Sequence, residues 1–91
     1  MKTLPAEVSS FAQSPEFTEN SMPKNLKKEH RTSAGVWGKI VVLEGRLRYR
    51  ILEPEARDEK LSPQTPGIVE PEIAHEVKAL GKVRFYVEFY R

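Results

Sequence analysis

From Gly45 to Ile51 the chain reads Gly-Arg-Leu-Arg-Tyr-Arg-Ile, and from Arg46 on polarity alternates through it without a break. Leu47, Tyr49 and Ile51 fall on one side, Arg46, Arg48 and Arg50 on the other. A period of two puts successive side chains on opposite faces of a β-strand, one face apolar and the other wet. The same period returns near the C-terminus, where Val83, Phe85, Val87 and Phe89 alternate with Arg84, Tyr86, Glu88 and Tyr90. Upstream, "VWGKIVVLE" (36–44) is rich in the β-branched and aromatic residues that fit a pleated surface. No segment shows a 3.6 period of helical length. In 91 residues this pattern predicts one small all-β domain, an antiparallel barrel or sandwich.

The punctuation completes that expectation. Glu44-Gly45 reads as the turn between two strands, and Gly81-Lys82 as a type II′ hairpin turn joining "AHEVKAL" to "VRFYVEFY". "MPKNLKKEH" reads as a short first strand ending near His30, "RTSAG" as a loop, and "EPEARDEK" as a polar connection. Residues 1–23 hold three of the seven prolines and read as an extended arm anchored by Phe11 and Phe17. The division expected is an arm at 1–13 and the barrel domain at 14–91. Trp37, Val41, Leu43, Leu47, Tyr49, Val77, Phe85 and Val87 are the expected core.

Composition narrows the functional classes. Cysteine is absent, which removes disulfides, thiolate catalysis and zinc–thiolate sites together. No apolar run approaches the length of a membrane span and the N-terminus lacks a signal-peptide core, so a soluble, cytoplasmic protein with no membrane partner is expected. A formal charge of +2 is too balanced to imply nucleic acid, and no Gly-rich phosphate loop is present. Basic residues do gather at "KNLKKEHR" (24–31) and "GRLRYR" (45–50), which read most simply as solvated faces. A domain this small gains from covering its strand edges, so a homodimer is expected.

Two histidines carry what chemistry there is. By alternation His75 shares a face with Val77 and Ala79, so it points where apolar residues point. An inward histidine can be a metal ligand, a general base or a packed, hydrogen-bonded core residue. Trp37 and Tyr49 are candidate pocket walls. Glu88 is the best spare carboxylate, although its parity sets it on the polar face.

Order along the chain adds a resemblance. "VVLEG" (41–45) resembles the "YVLEG" that closes the first cupin motif, and Gly67, Pro71 and His75 follow the Gly, Pro, His order of the second. Where cupins place a metal-binding glutamate this chain has Gly38, and of the His-X-His pair only His30 stands nearby. The stretch from "MPKNLKKEHRTSAGVWGKIVVLEG" through "EPEIAHEV" to "FYVEFY" is similar to the small cupin-like domain that precedes the methyltransferase in tellurite-resistance proteins. That domain also occurs free-standing. The resemblance covers residues 14–90 and implies a cupin-like β-sandwich or jelly-roll barrel, commonly dimeric, with His30 and His75 as its paired polar positions. It departs at Ala74, where relatives often carry tryptophan, and at Lys78, where they often carry an acid. With the chain ending at Arg91, neither a methyltransferase domain nor an S-adenosylmethionine site is expected.

Three functions fit these residues. The first is a binding domain for a small ligand, an oxyanion or a divalent metal (zinc, nickel or iron) held by His30, His75 and water. The second is a metal-dependent enzyme, such as an isomerase or oxygenase, which needs a third ligand and a base that the sequence does not supply. The third is a metal-free module for dimerisation or protein interaction. The binding domain is the preferred reading, and whether the chain is an enzyme stays open.

Overall fold

The structure, a computed structural model, describes residues 3–91; Met1 and Lys2 of the expected arm lie outside the described residues. The fold is antiparallel and all-β. Its strands are β1 (Ser10–Gln13), β2 (Phe17–Thr18), β3 (Trp37–Ile51), β4 (Arg57–Leu61), β5 (Gly67–Val69) and β6 (His75–Tyr90). One sheet holds all six in the order β1-β6-β3-β4, with β2 on the edge of β6 and β5 on the edge of β3. No helix among the described residues is long and apolar enough to cross a membrane.

The spine is the pairing of β3 with β6, two long strands in register from Trp37 opposite Tyr90 to Ile51 opposite His75. The Glu44-Gly45 turn predicted above is therefore not a turn. β3 runs straight through it, and Gly81-Lys82 likewise lies inside β6. What the two glycines mark is a bulge. Val42 faces Phe85 and Glu44 faces Arg84, so Leu43 is an extra residue with no partner; a second offset follows between Gly45 and Leu47. A bulge bends its strand and increases the local twist, which folds a long ribbon back over its own apolar face.

The bulge also corrects the expected core. One inserted residue reverses side-chain parity, so Ile40 and Val42 point inward before it and Leu47, Tyr49 and Ile51 after it. Trp37, Val41 and Leu43, expected inside, are only half-buried. Parity on β6 is unbroken, and Val77, Phe85 and Val87 are buried as the alternation requires. The inward residues of both halves join Met22, Leu61, Val69 and Val83 in one core.

Other local readings change for physical reasons. "MPKNLKKEH" is not a strand; Lys24–Lys27 form a single 3-10 turn after Pro23. Leu26 is the residue of that turn that packs on the core, so nothing there has a period of two to satisfy. The polar "EPEARDEK" is not wholly a connection, because Arg57–Leu61 pair with β3 as an edge strand that buries only Leu61. Within the arm, Ser10–Gln13 pair with the end of β6. Phe17 packs its ring against Phe85 at 5.6 Å between centroids, whereas Phe11 stays exposed beneath the Arg91 guanidinium.

Candidate functional site

His30 and His75 stand 45 positions apart, and the backbone joins them. His30 N–H donates to the His75 carbonyl at 2.7 Å and His75 N–H donates back to His30 at 2.9 Å, an isolated antiparallel bridge on the outer edge of β6. Residues paired in this way project their side chains to the same face. The two imidazoles consequently meet, with ring centroids 5.2 Å apart and planes nearly perpendicular. His30 Nδ1 lies 3.4 Å from His75 Nε2.

The environment of His75 assigns its protons. Its Nδ1 lies 3.1 Å from the carbonyl oxygen of Ile73, which can only accept, so Nδ1 carries the hydrogen. In the neutral ring Nε2 is then a bare lone pair aimed at His30. Neutrality follows from burial: the residue is 3% exposed, and desolvation lowers its pKa below the ordinary value. The Ile73 hydrogen bond opposes that shift, and the neighbouring His30 adds to it. Among the described residues, His75 is the one buried residue with an ionisable side chain apart from Tyr49.

Both rings open on a cavity of about 160 Å³ whose other walls are mainly apolar, among them Phe17, Ile40, Val69, Val77 and Phe85. Its two hydroxyls are already engaged with backbone. Thr32 Oγ1 donates to Val36 O at 2.8 Å; Ser14 Oγ donates to Pro15 O at 2.9 Å and accepts from Val87 N–H at 2.9 Å. The imidazole nitrogens are therefore the groups with directed polarity to spare.

The remaining candidates lie elsewhere. Tyr49 is buried beside the site rather than in its wall: its ring meets His75 edge-on at 5.8 Å and its hydroxyl donates to Ile68 O at 3.0 Å. Burial pushes the phenol above its ordinary pKa, so it stays protonated. Trp37 sits opposite Tyr90 at the start of β3, outside the cavity lining. Glu88 faces the opposite way from Val87 and accepts hydrogen bonds from Ser10 Oγ at 2.8 Å and Tyr90 Oη at 2.9 Å. Among the described residues no third His, Asp or Glu completes a three-residue metal cluster with the pair.

Sequence reasoning missed the residues that hold the two histidine segments together. Arg31, next to His30, donates to the Glu53 carboxylate and, at 2.9 Å, to Glu72 O. The same Glu53 oxygen accepts from the N–H of Ala74, next to His75, at 3.1 Å. The Arg31 hydrogen bond, reinforced by that N–H, holds the Glu53 carboxyl below its usual pKa. No local motif announces this clamp, since Arg31, Glu53 and Ala74 come from three separate segments.

Comparisons with known proteins fit the fold. The TehB-like domain model matches residues 12–87. A probable S-adenosyl-L-methionine-dependent methyltransferase, TehB, of Haemophilus influenzae is 31% identical over 79 residues, which cover 82% of this chain but 28% of that protein. The crystal structure of TehB from that species superimposes with a TM-score of 0.85 at 29% identity, over 93% of this chain and 32% of that one. An Escherichia coli K12 protein solved by a structural genomics consortium shares the fold at TM-score 0.90 and 17% identity, over 100% of this chain and 97% of its own. This chain thus spans less than a third of TehB, and with its matched residues running from β1 into β6 it belongs to the TehB-like domain family of the tellurite-resistance proteins.

Proposed function

We propose that this domain is a binding module with a cupin-like cavity, in which His30 Nδ1 and His75 Nε2 hold one divalent metal ion whose open positions receive a small oxyanion. The observation that carries the reading is the 3.4 Å between those two nitrogens, with the His75 tautomer set by Ile73 O. Two imidazoles on a tetrahedral ion at 2.0–2.1 Å place their nitrogens about 3.3 Å apart. A ligand histidine whose other N–H is anchored to a carbonyl is the usual outer-shell arrangement. Nitrogen donors of this kind suit zinc, nickel or iron. Bound there, the ion would supply the positive charge that a neutral, buried imidazole lacks. The chain's own residues do the rest: Ile73 and Tyr49 orient His75, Arg31 and Glu53 fix the two segments, and the apolar wall excludes bulk water.

The binding role is proposed for the part shared with TehB, which is 28% of that protein. The 3.4 Å nitrogen pair favours a binding role over a metal-dependent enzyme, for which the pair has no third protein ligand among the described residues. A cytoplasmic role in tellurite or related oxyanion stress suits such a module. Elemental analysis of untagged protein, followed by cobalt(II) titration read by visible absorption, tests the reading. The expected result is about one equivalent of metal, lost in His30→Ala and in His75→Ala, with tellurite bound only by the loaded protein. Binding that survives both substitutions refutes it.

A further inference from the structure

A second cavity is larger than the histidine site. It is a groove of about 430 Å³ along the edge of β6, with Glu19, Lys27, Arg48, Arg50, Glu76 and Lys78 in its lining. It opens where the edge of β6 is left uncovered, between His75, which pairs with His30, and Arg84, which pairs with Thr18. The two basic clusters of the sequence meet here: Lys27 comes from the first, Arg48 and Arg50 from the second.

The charges on this face are arranged at a cost. Arg48 lies opposite Lys78 on one side and Lys60 on the other, so three cations share one row across adjacent strands. Like charges directly opposite destabilise a sheet. The next row, Glu76, Arg50 and Asp58, offsets this only in part, and the six residues leave the face with an excess of two positive charges, equal to the formal charge of the entire chain. Asp58 fixes both guanidiniums, taking Arg48 Nη2 at 2.7 Å and Arg50 Nε at 2.9 Å. Each arginine keeps further N–H donors in a fixed orientation. Glu19 is committed to the N–H of Val83 at 3.0 Å, and Glu76 lies 3.8 Å from Arg50. Among the described residues Lys27 and Lys78 form no ion pair.

We infer that this groove is a second site, separate from the histidine cavity, that binds a small multivalent oxyanion of the phosphate class between Lys27, Arg48, Arg50 and Lys78. Pre-oriented guanidiniums supply directed hydrogen bonds, and the two lysines supply mobile charge from either wall.

Calorimetric titration of pyrophosphate into chelator-treated protein at low salt tests it. Binding of one equivalent is expected, weakening as salt rises. The double variant Lys27→Gln/Lys78→Gln should lose about tenfold or more in affinity at a melting temperature no lower than the parent's, because it removes charged hydrogen-bond partners of the anion and relieves the Arg48–Lys78 repulsion. Lys60→Gln, on the same face but outside the groove, should change affinity less than about twofold, and His75→Ala should not change it. No heat of binding, or equal losses in Lys60→Gln and Lys78→Gln, overturns the site. In the second case the face attracts anions only by diffuse charge.

Discussion

Replacing Gly45 with alanine should be among the most damaging single-methyl changes this fold can suffer. Two separate costs act at that position. The backbone has φ +80°, a region that L-residues enter at about 1–2 kcal/mol. The added Cβ would also stand 2.0 Å from the carbonyl oxygen of Lys82 and 3.0 Å from its carbon, inside contact distance of main chain that cannot rotate away. Forcing such an overlap into packed structure costs about 1–3 kcal/mol. Together these predict a loss of about 2–5 kcal/mol, a large part of the 5–15 kcal/mol that typically stabilises a domain. The damage should spread, because the bulge at this point sets the parity by which Ile40 and Leu47 both face the core. Gly81 provides the internal control. Its φ is +86°, but an added Cβ meets nothing within 4 Å, so Gly81→Ala should show the backbone cost alone. Urea unfolding followed by tryptophan fluorescence measures both. If Gly45→Ala costs no more than Gly81→Ala, the close approach of β3 to Lys82 is not what makes glycine necessary, and the account of the bulge fails.

Other expectations follow from single groups. In chelator-treated protein, His75 has a folded pKa below the unfolded value near 6.5, so the unfolded chain takes up the proton first. Stability present above pH 6.5 should therefore fall as pH drops toward the folded pKa, by at most about 1.4 kcal/mol per pH unit, and His75→Leu should flatten that part of the urea midpoint profile. Tyr49→Phe removes the hydroxyl that donates to Ile68 O, which should cost about 1 kcal/mol in the same assay without altering metal stoichiometry.

How much was legible in the sequence depended on whether polarity changed with every residue. From Arg46 to Ile51 and from Val83 to Val87 it does, and the structure buries the expected residues. In "KIVVLE" adjacent positions are both apolar, so either phase looks acceptable and the extra Leu43 leaves no trace. A glycine after such a run signals a turn and a bulge equally well, because both need the same positive φ. β4 escaped notice because an edge strand with one buried residue, Leu61, has no alternation to display. At the site, His75 could be placed inward by parity with Val77. Its pairing with His30 was implied by the family resemblance alone, because the bridge that joins them links distant segments; the Arg31–Glu53 clamp joins distant segments too, and no resemblance announced it.

The two sites proposed for this domain divide their chemistry by the parity of one strand. On β6, His75 turns inward and the charged Glu76 and Lys78 turn outward, while Val77 is an apolar wall common to both cavities. The inner site offers lone pairs in an apolar wall. His75 is held neutral there and its Nδ1–H is already given to Ile73, so an oxyanion arriving alone would meet a bare Nε2 acceptor rather than a donor. A cation between them relieves the repulsion between that lone pair and an anionic oxygen. On this argument anion capture inside the cavity depends on metal, whereas capture in the outer groove does not. Chelation and salt should separate the two: chelation should abolish tellurite binding at the histidines and spare pyrophosphate in the groove. Raising the salt should weaken the groove far more than the cavity, because solvent-exposed charges are screened and buried contacts are not. Loss of both activities together on chelation would show that one metal-dependent site accounts for all anion binding.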